Sequence, residues 1–154
     1  MEPLVISAKN LAAFNVEGAC PRCLWVNLHS KRLPYQIFPG IFSSIDAYNK
    51  RIIDSYFARE RRLPEWLSAL GEVDNYVAPP SYQRFSIYDE ANKITLRGAA
   101  DGIFRMKDGS HTIVDYKTAK YTPGQEALLP IYVAQLNGYA YIGNRLELHP
   151  VSQL

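Results

Sequence analysis

Cysteine is almost missing from this chain: among 154 residues there are two, Cys20 and Cys23, both in "CPRC". A disulfide framework is therefore not expected, and an intracellular, cytoplasmic setting fits best. No cysteine follows Cys23, so four thiolates cannot meet within the chain to hold an iron–sulfur cluster. "CPRC" is also only half of a zinc site, since no second pair or suitably spaced histidines complete it, which leaves a structural role as the simpler reading. Long apolar runs are missing too. With no stretch of about 18 apolar residues, no membrane-spanning helix is expected. "MEPLVISAKN" lacks the basic start and apolar run of a signal peptide. Repeats and low-complexity segments are absent. Charge of one sign is not in excess: 17 Lys and Arg against 15 Asp and Glu leave +2, too weak a bias to argue nucleic-acid binding by itself.

What is present suits one packed domain. The hydrophobic fraction is 47% and the charged fraction 21%. Tyrosine supplies eleven side chains, rings that bury while a hydroxyl keeps a polar partner. Residues 1–40 read as irregular, with a short helix near 8–14. A long helix is expected from Ser43 or Ser44, with Asp46 in its first turn, where the helix dipole favours an acid. Ile45, Tyr48, Ile52, Tyr56 and Arg59 give it a mostly apolar stripe. Lys50, Arg51, Arg59, Arg61 and Arg62 there read as phosphate contacts or as a solvated helix end. Pro64 stops the helix, and "PEWLSAL" forms a short one ending at Gly71. "YQRFSIYD", "KITLRGAADGIFRMK" and "HTIVDYKTA" alternate like strands, with "KDGS" as a turn. "PIYVAQLNGYAYI" is a final helix with Pro130 in its first turn. The order predicts an α/β (α+β) layout.

Within "IVDYKTAK", Asp115 and Lys117 are two apart, so a strand projects both to one face. Alone, that pattern is more often a surface or structural ion pair than a site. "GAADG" places Asp101 among small residues that leave room for a ligand or a close backbone. The hairpin between them has two possible registers. A three-residue loop, Lys107-Asp108-Gly109, sets Asp101 opposite Asp115; a two-residue loop turns Asp101 away. Converging carboxylates make a hard oxygen site of the kind Mg²⁺ takes together with water and phosphate oxygens. A lysine beside it can position or deprotonate a water, or offset charge on phosphate. In "QLNGY", Gln135 and Tyr139 share one helix face with Tyr132.

Together, "GAAD" at 98–101, "DYK" at 115–117 and "QLNGY" at 135–139 resemble, in order and spacing, the RecB-like branch of the PD-(D/E)XK nuclease superfamily. That branch includes CRISPR-adaptation exonucleases, whose iron–sulfur cysteines this chain does not have. The likeness covers residues of about 40 to 145, and more loosely "CPRCLWVNL". It implies a restriction-endonuclease-like fold, a central mixed sheet flanked by helices, and metal-dependent cleavage of nucleic acid, usually DNA. Asp101, Asp115 and Lys117 would then be catalytic. Asp101, Asp115 and the Tyr116 carbonyl would hold Mg²⁺ or Mn²⁺, and Gln135 and Tyr139 would support the site or the substrate. The first helix of the family offers a His or an acid to the metal. No histidine stands in "IFSSIDAY", so Asp46 is the expected substitute. The alternative is a nuclease-like module that binds nucleic acid without cutting it. The chain stops at "LHPVSQL", where relatives add another strand. It reads as a single domain, 1–154, truncated at its C-terminus or unusually short.

Overall fold

The computed structural model describes residues 4–30, 40–117 and 122–154. Strand β1 (Leu4–Ser7) leads straight into helix α1 (Ala8–Ala12), capped by the Ser7 hydroxyl, which accepts from the Asn10 N–H at 3.0 Å. The short helix expected near 8–14 is thus present, but β1 and helix α2 (Pro21–His29) replace an irregular reading on either side of it. Pro21 opens α2 at its first turn, where a missing N–H is harmless. Helix α3 (Gly40–Glu60) begins earlier than Ser43, so Asp46 lies in the second turn and not the first. After a short 3₁₀ segment, Glu65–Leu70, come β2 (Val73–Val77), β3 (Ser86–Asp89), β4 (Ile94–Arg97), β5 (Gly102–Met106) and β6 (His111–Val114). Helix α4 (Leu129–Gly143) carries Pro130 in its first turn, and β7 (Val151–Gln153) follows.

The described strands form two mixed sheets, not one. The first runs β1-β4-β3, with β1 parallel and β3 antiparallel to β4. The second runs β2-β5-β6-β7, antiparallel except for the parallel β6–β7 pair. The segment read as one strand across 93–107 is two, in different sheets, and the small residues 98–101 make the crossing.

The second sheet is covered on both faces. Ile103 and Ile113, directly paired, join Ala8, Phe85, Tyr139, Ile142 and Leu148 in the main core under α4. Helix α4 meets α1 closely: a Cβ on Gly138 would stand 2.9 Å from the Ala8 Cβ. On the other face Phe104 and Thr112 are fully buried, and Phe104 meets Tyr76 edge-on at 5.7 Å. Helix α3 reaches this face, where Asp54 bonds the Tyr76 hydroxyl. Its buried residues are Ile53 and Phe57. The expected stripe faces outward instead: Ile45, Tyr48 and Ile52 are exposed, and Tyr48, Ile52, Tyr56, Arg51 and Arg59 line an open groove. No helix among the described residues is long and apolar enough to cross a membrane.

Candidate active site at the open end of the hairpin

The turn joining β5 to β6 decides what its far end can do. Gly109 sits at φ +85° and its N–H donates to the Met106 carbonyl at 3.0 Å, while the Met106 N–H donates to the Ser110 carbonyl at 2.8 Å. This is the three-residue loop with glycine in the left-handed position. It pairs Gly102 with Val114, and one step further out stand Asp101 and Asp115.

The ladder ends at that point. Strand β6 stops at Val114, so Asp115, Tyr116 and Lys117 lie just beyond it and not inside a strand as the pattern suggested. The Asp101 N–H donates to the Val114 carbonyl at 3.1 Å, and the Asp101 Oδ2 accepts the Tyr116 N–H at 2.8 Å. A side chain takes over where backbone pairing stops, which fixes one carboxylate oxygen and leaves Oδ1 for another partner. That oxygen meets the Lys50 ammonium from α3 at 2.7 Å. Asp115 is held on both oxygens. Oδ1 accepts from Gln135 Nε2 at 3.1 Å, and Oδ2 pairs with Lys117. The Lys117 ammonium also lies 4.7 Å from the centre of the Tyr132 ring.

Helix α4 ties the motifs together. Gln135 Nε2 donates to the Tyr139 hydroxyl at 2.7 Å, and that hydroxyl also accepts the backbone N–H of Ala99. One helix face thus bridges "DYK" through Gln135 and "GAAD" through Tyr139. The glycine of "GAAD" has its own reason. A Cβ at Gly98 would fall 2.6 Å from a Phe85 ring carbon and 2.9 Å from one of Tyr139, both rings buried. Tyr116 points the other way, its ring edge toward Trp66 at 6.4 Å.

Electrostatics mark the acid pair as one unit. Burial pushes the Asp115 carboxyl up from its ordinary range. Lys117 opposes that by hydrogen bond and charge, the Asp101 charge adds to it, and Lys50 opposes it. Burial also raises the Tyr139 hydroxyl, with Gln135 pulling the other way.

The donor set suits a hard divalent cation held largely by water and phosphate. Two carboxylates are available, with side chains only 13% and 10% exposed. No cluster of three or more His, Cys, Asp or Glu able to hold a metal occurs among the described residues. Cys20 and Cys23 are exposed free thiols. The Asp46 side chain lies outside what the structure describes, so the expected ligand from the first helix is not placed. Among the described side chains of α3, Lys50, one turn further along, meets Asp101. The sequence reads Lys50 as a phosphate contact or as part of a solvated helix end; its position a turn from both Asp46 and Asp54 is the signal for more.

Comparison with known families matches residues 19–153 to the PD-(D/E)XK nuclease superfamily. The chain belongs to that superfamily. Members of the PD-(D/E)XK superfamily are typically hydrolytic nucleases that use divalent metals, which makes nucleic acid the implied substrate. No curated protein and no solved structure gives a significant match. Two mixed sheets flanked by helices agree with the restriction-endonuclease-like architecture of PD-(D/E)XK proteins.

Proposed function

We propose that the protein is a divalent-metal-dependent nuclease of the RecB-like branch that hydrolyses phosphodiester bonds in DNA. The observation that carries this reading is the meeting of Asp101, Asp115 and Lys117 at the open end of one hairpin. Asp101, Asp115 and the Tyr116 carbonyl, with Asp46 from α3, would hold Mg²⁺ or Mn²⁺, which when bound polarises a phosphoryl oxygen and lowers the pKa of a water. Lys117 positions the attacking water and offsets charge building on the phosphate. Its place against Asp115 and over Tyr132 keeps the ammonium aimed at the site. Gln135 fixes the direction of Asp115, and Tyr139 fixes Gln135.

The competing reading, a module that binds nucleic acid without cutting it, draws on one observation: Lys50 holds Oδ1 of Asp101. An assay with labelled single- and double-stranded DNA and RNA, in Mg²⁺ or Mn²⁺, separates the two. Cleavage by wild type and its loss in Lys117→Ala supports the nuclease. Binding without metal-dependent cleavage on any substrate, indifferent to Lys117→Ala, leaves the binding module.

A further inference from the structure

Lys50 is delivered to the acid pair by a well-anchored helix. Ile53 and Phe57 on its inner face are 1% and 2% exposed, and Asp54 bonds Tyr76 on strand β2. These contacts fix how α3 is turned. The Lys50 ammonium lies 2.7 Å from Asp101 Oδ1. The other Asp101 oxygen is already committed to the Tyr116 N–H. Lys50 therefore holds the Asp101 oxygen that the backbone leaves over, the oxygen an incoming cation needs.

Charge balance sharpens the point. Among the described side chains, two carboxylates, Asp101 and Asp115, face two ammonium groups, Lys50 and Lys117. A divalent cation added to these four groups meets two ammonium charges at short range, which is unfavourable in a partly buried site. Binding is eased if one ammonium leaves. Lys117 has the Tyr132 ring beside it as well as Asp115. The Lys50 side chain is 32% exposed on a flexible four-carbon stem, which can swing outward.

We infer that Lys50 is a tethered counter-cation of the acid pair, occupying Asp101 Oδ1 in the metal-free protein and displaced from it by an incoming divalent cation. Displacement exchanges one ionic contact for another; no bond to carbon or hydrogen is made or broken. Once displaced, the ammonium stays beside the site, where a phosphate oxygen is its complementary partner. The inference rests on the acid pair being a divalent-cation site, and the test separates the two.

Mn²⁺ binding is titrated calorimetrically, without nucleic acid, on wild type, Lys50→Met, Lys50→Gln and Asp101→Asn. Lys50→Met keeps the stem and removes the charge. It is expected to bind Mn²⁺ about three- to tenfold more tightly than wild type, the scale of a partly exposed ion pair and its added repulsion. Lys50→Gln should fall on the same side, and Asp101→Asn should weaken binding sharply. Melting temperatures guard against a folding defect. Without metal, Lys50→Met melts below wild type, because Asp101 loses its partner; at saturating Mn²⁺ the gap closes. If wild type binds Mn²⁺ through Asp101 but both Lys50 variants bind no more tightly, or the melting gap persists at saturation, Lys50 is a structural ion pair and the inference is wrong while the metal site stands. If no variant binds Mn²⁺, the metal site falls and the inference with it.

Discussion

At its turn the β5–β6 hairpin carries Asp108; at its open end it carries Asp101 and Asp115. Asp108 Oδ1 accepts the Ser110 N–H at 2.9 Å and the Ser110 hydroxyl at 2.7 Å, so its partners lie two residues away. Those bonds draw its carboxyl below the ordinary range. Asp101 and Asp115 take their partners from afar: Lys50 on α3 and Gln135 on α4, besides Tyr116 and Lys117. Burial raises the Asp115 carboxyl. An acid satisfied by its own turn builds architecture. Acids whose partners come from several elements, two of them ammonium groups, gather those elements at one point.

The largest effect that tests this contrast is on cleavage. Asp115→Ala should lower single-turnover cleavage by about a thousandfold or more and abolish Mn²⁺ binding, because the site loses a ligand oxygen. Lys117→Ala should lower cleavage by a factor on the order of 10² to 10⁴ yet leave Mn²⁺ bound, since an ammonium cannot ligate a metal. Asp108→Ala should leave both readouts at wild-type levels. A cleavage loss in Asp108→Ala equal to that of Asp115→Ala would erase the distinction between the two ends.

Stability changes come next. Gly98→Ala drives a methyl into two buried rings and should cost about 2 to 3 kcal/mol in urea unfolding. An unchanged midpoint would show that Phe85 and Tyr139 can move aside. Gln135→Ala strips its amide from Asp115 and from the Tyr139 hydroxyl, and should cost about 1 to 3 kcal/mol. It should also push the Asp115 carboxyl higher, seen as a later titration by carboxyl NMR.

The smallest effect is the pH response, where the two ends should differ in sign. The folded Asp108 carboxyl lies below its unfolded value, so its contribution is present above the unfolded pKa and is lost as pH falls through the folded one. For Asp115 the folded carboxyl lies above its unfolded value. Its proton is held longer in the folded chain, so stability declines as pH rises between those two values. Carboxyl NMR of the metal-free protein should find Asp108 titrating below the ordinary aspartate range and Asp115 above it. The reverse order would contradict the assignment of the two ends.

The hairpin register was half legible. Sequence narrowed it to two loops, and Gly109 in the left-handed region chose between them. The "DYK" and "QLNGY" spacings were readable because each is a local periodicity, and Gln135 and Tyr139 do share a face. The inward face of α3 was not readable. Ile45, Tyr48, Ile52 and Tyr56 form as good a stripe as Ile53 and Phe57, and periodicity cannot rank two stripes on one helix. What decides is tertiary: Lys50 and Asp54 find polar partners at the sheet, which turns the other stripe to solvent. Strand β1 escaped notice because four residues carry little pattern and its partner β4 lies some ninety positions away. Strand β7, three residues long, was hidden for the same reason.

The crossing at residues 98–101 makes the site answerable to both sheets at once. Gly98 is tied back to β3, its N–H donating to the Phe85 carbonyl at 2.8 Å, while Asp101 is tied to β6 through Val114. Three peptide units therefore span the seam between the sheets, and the acid is the last residue of that span. A sliding of one sheet against the other cannot be absorbed in so short a tether and is passed on to Asp101. The position of Asp101 thus depends on two joints, its own hairpin on one side and the seat of the β1-β4-β3 sheet on the other.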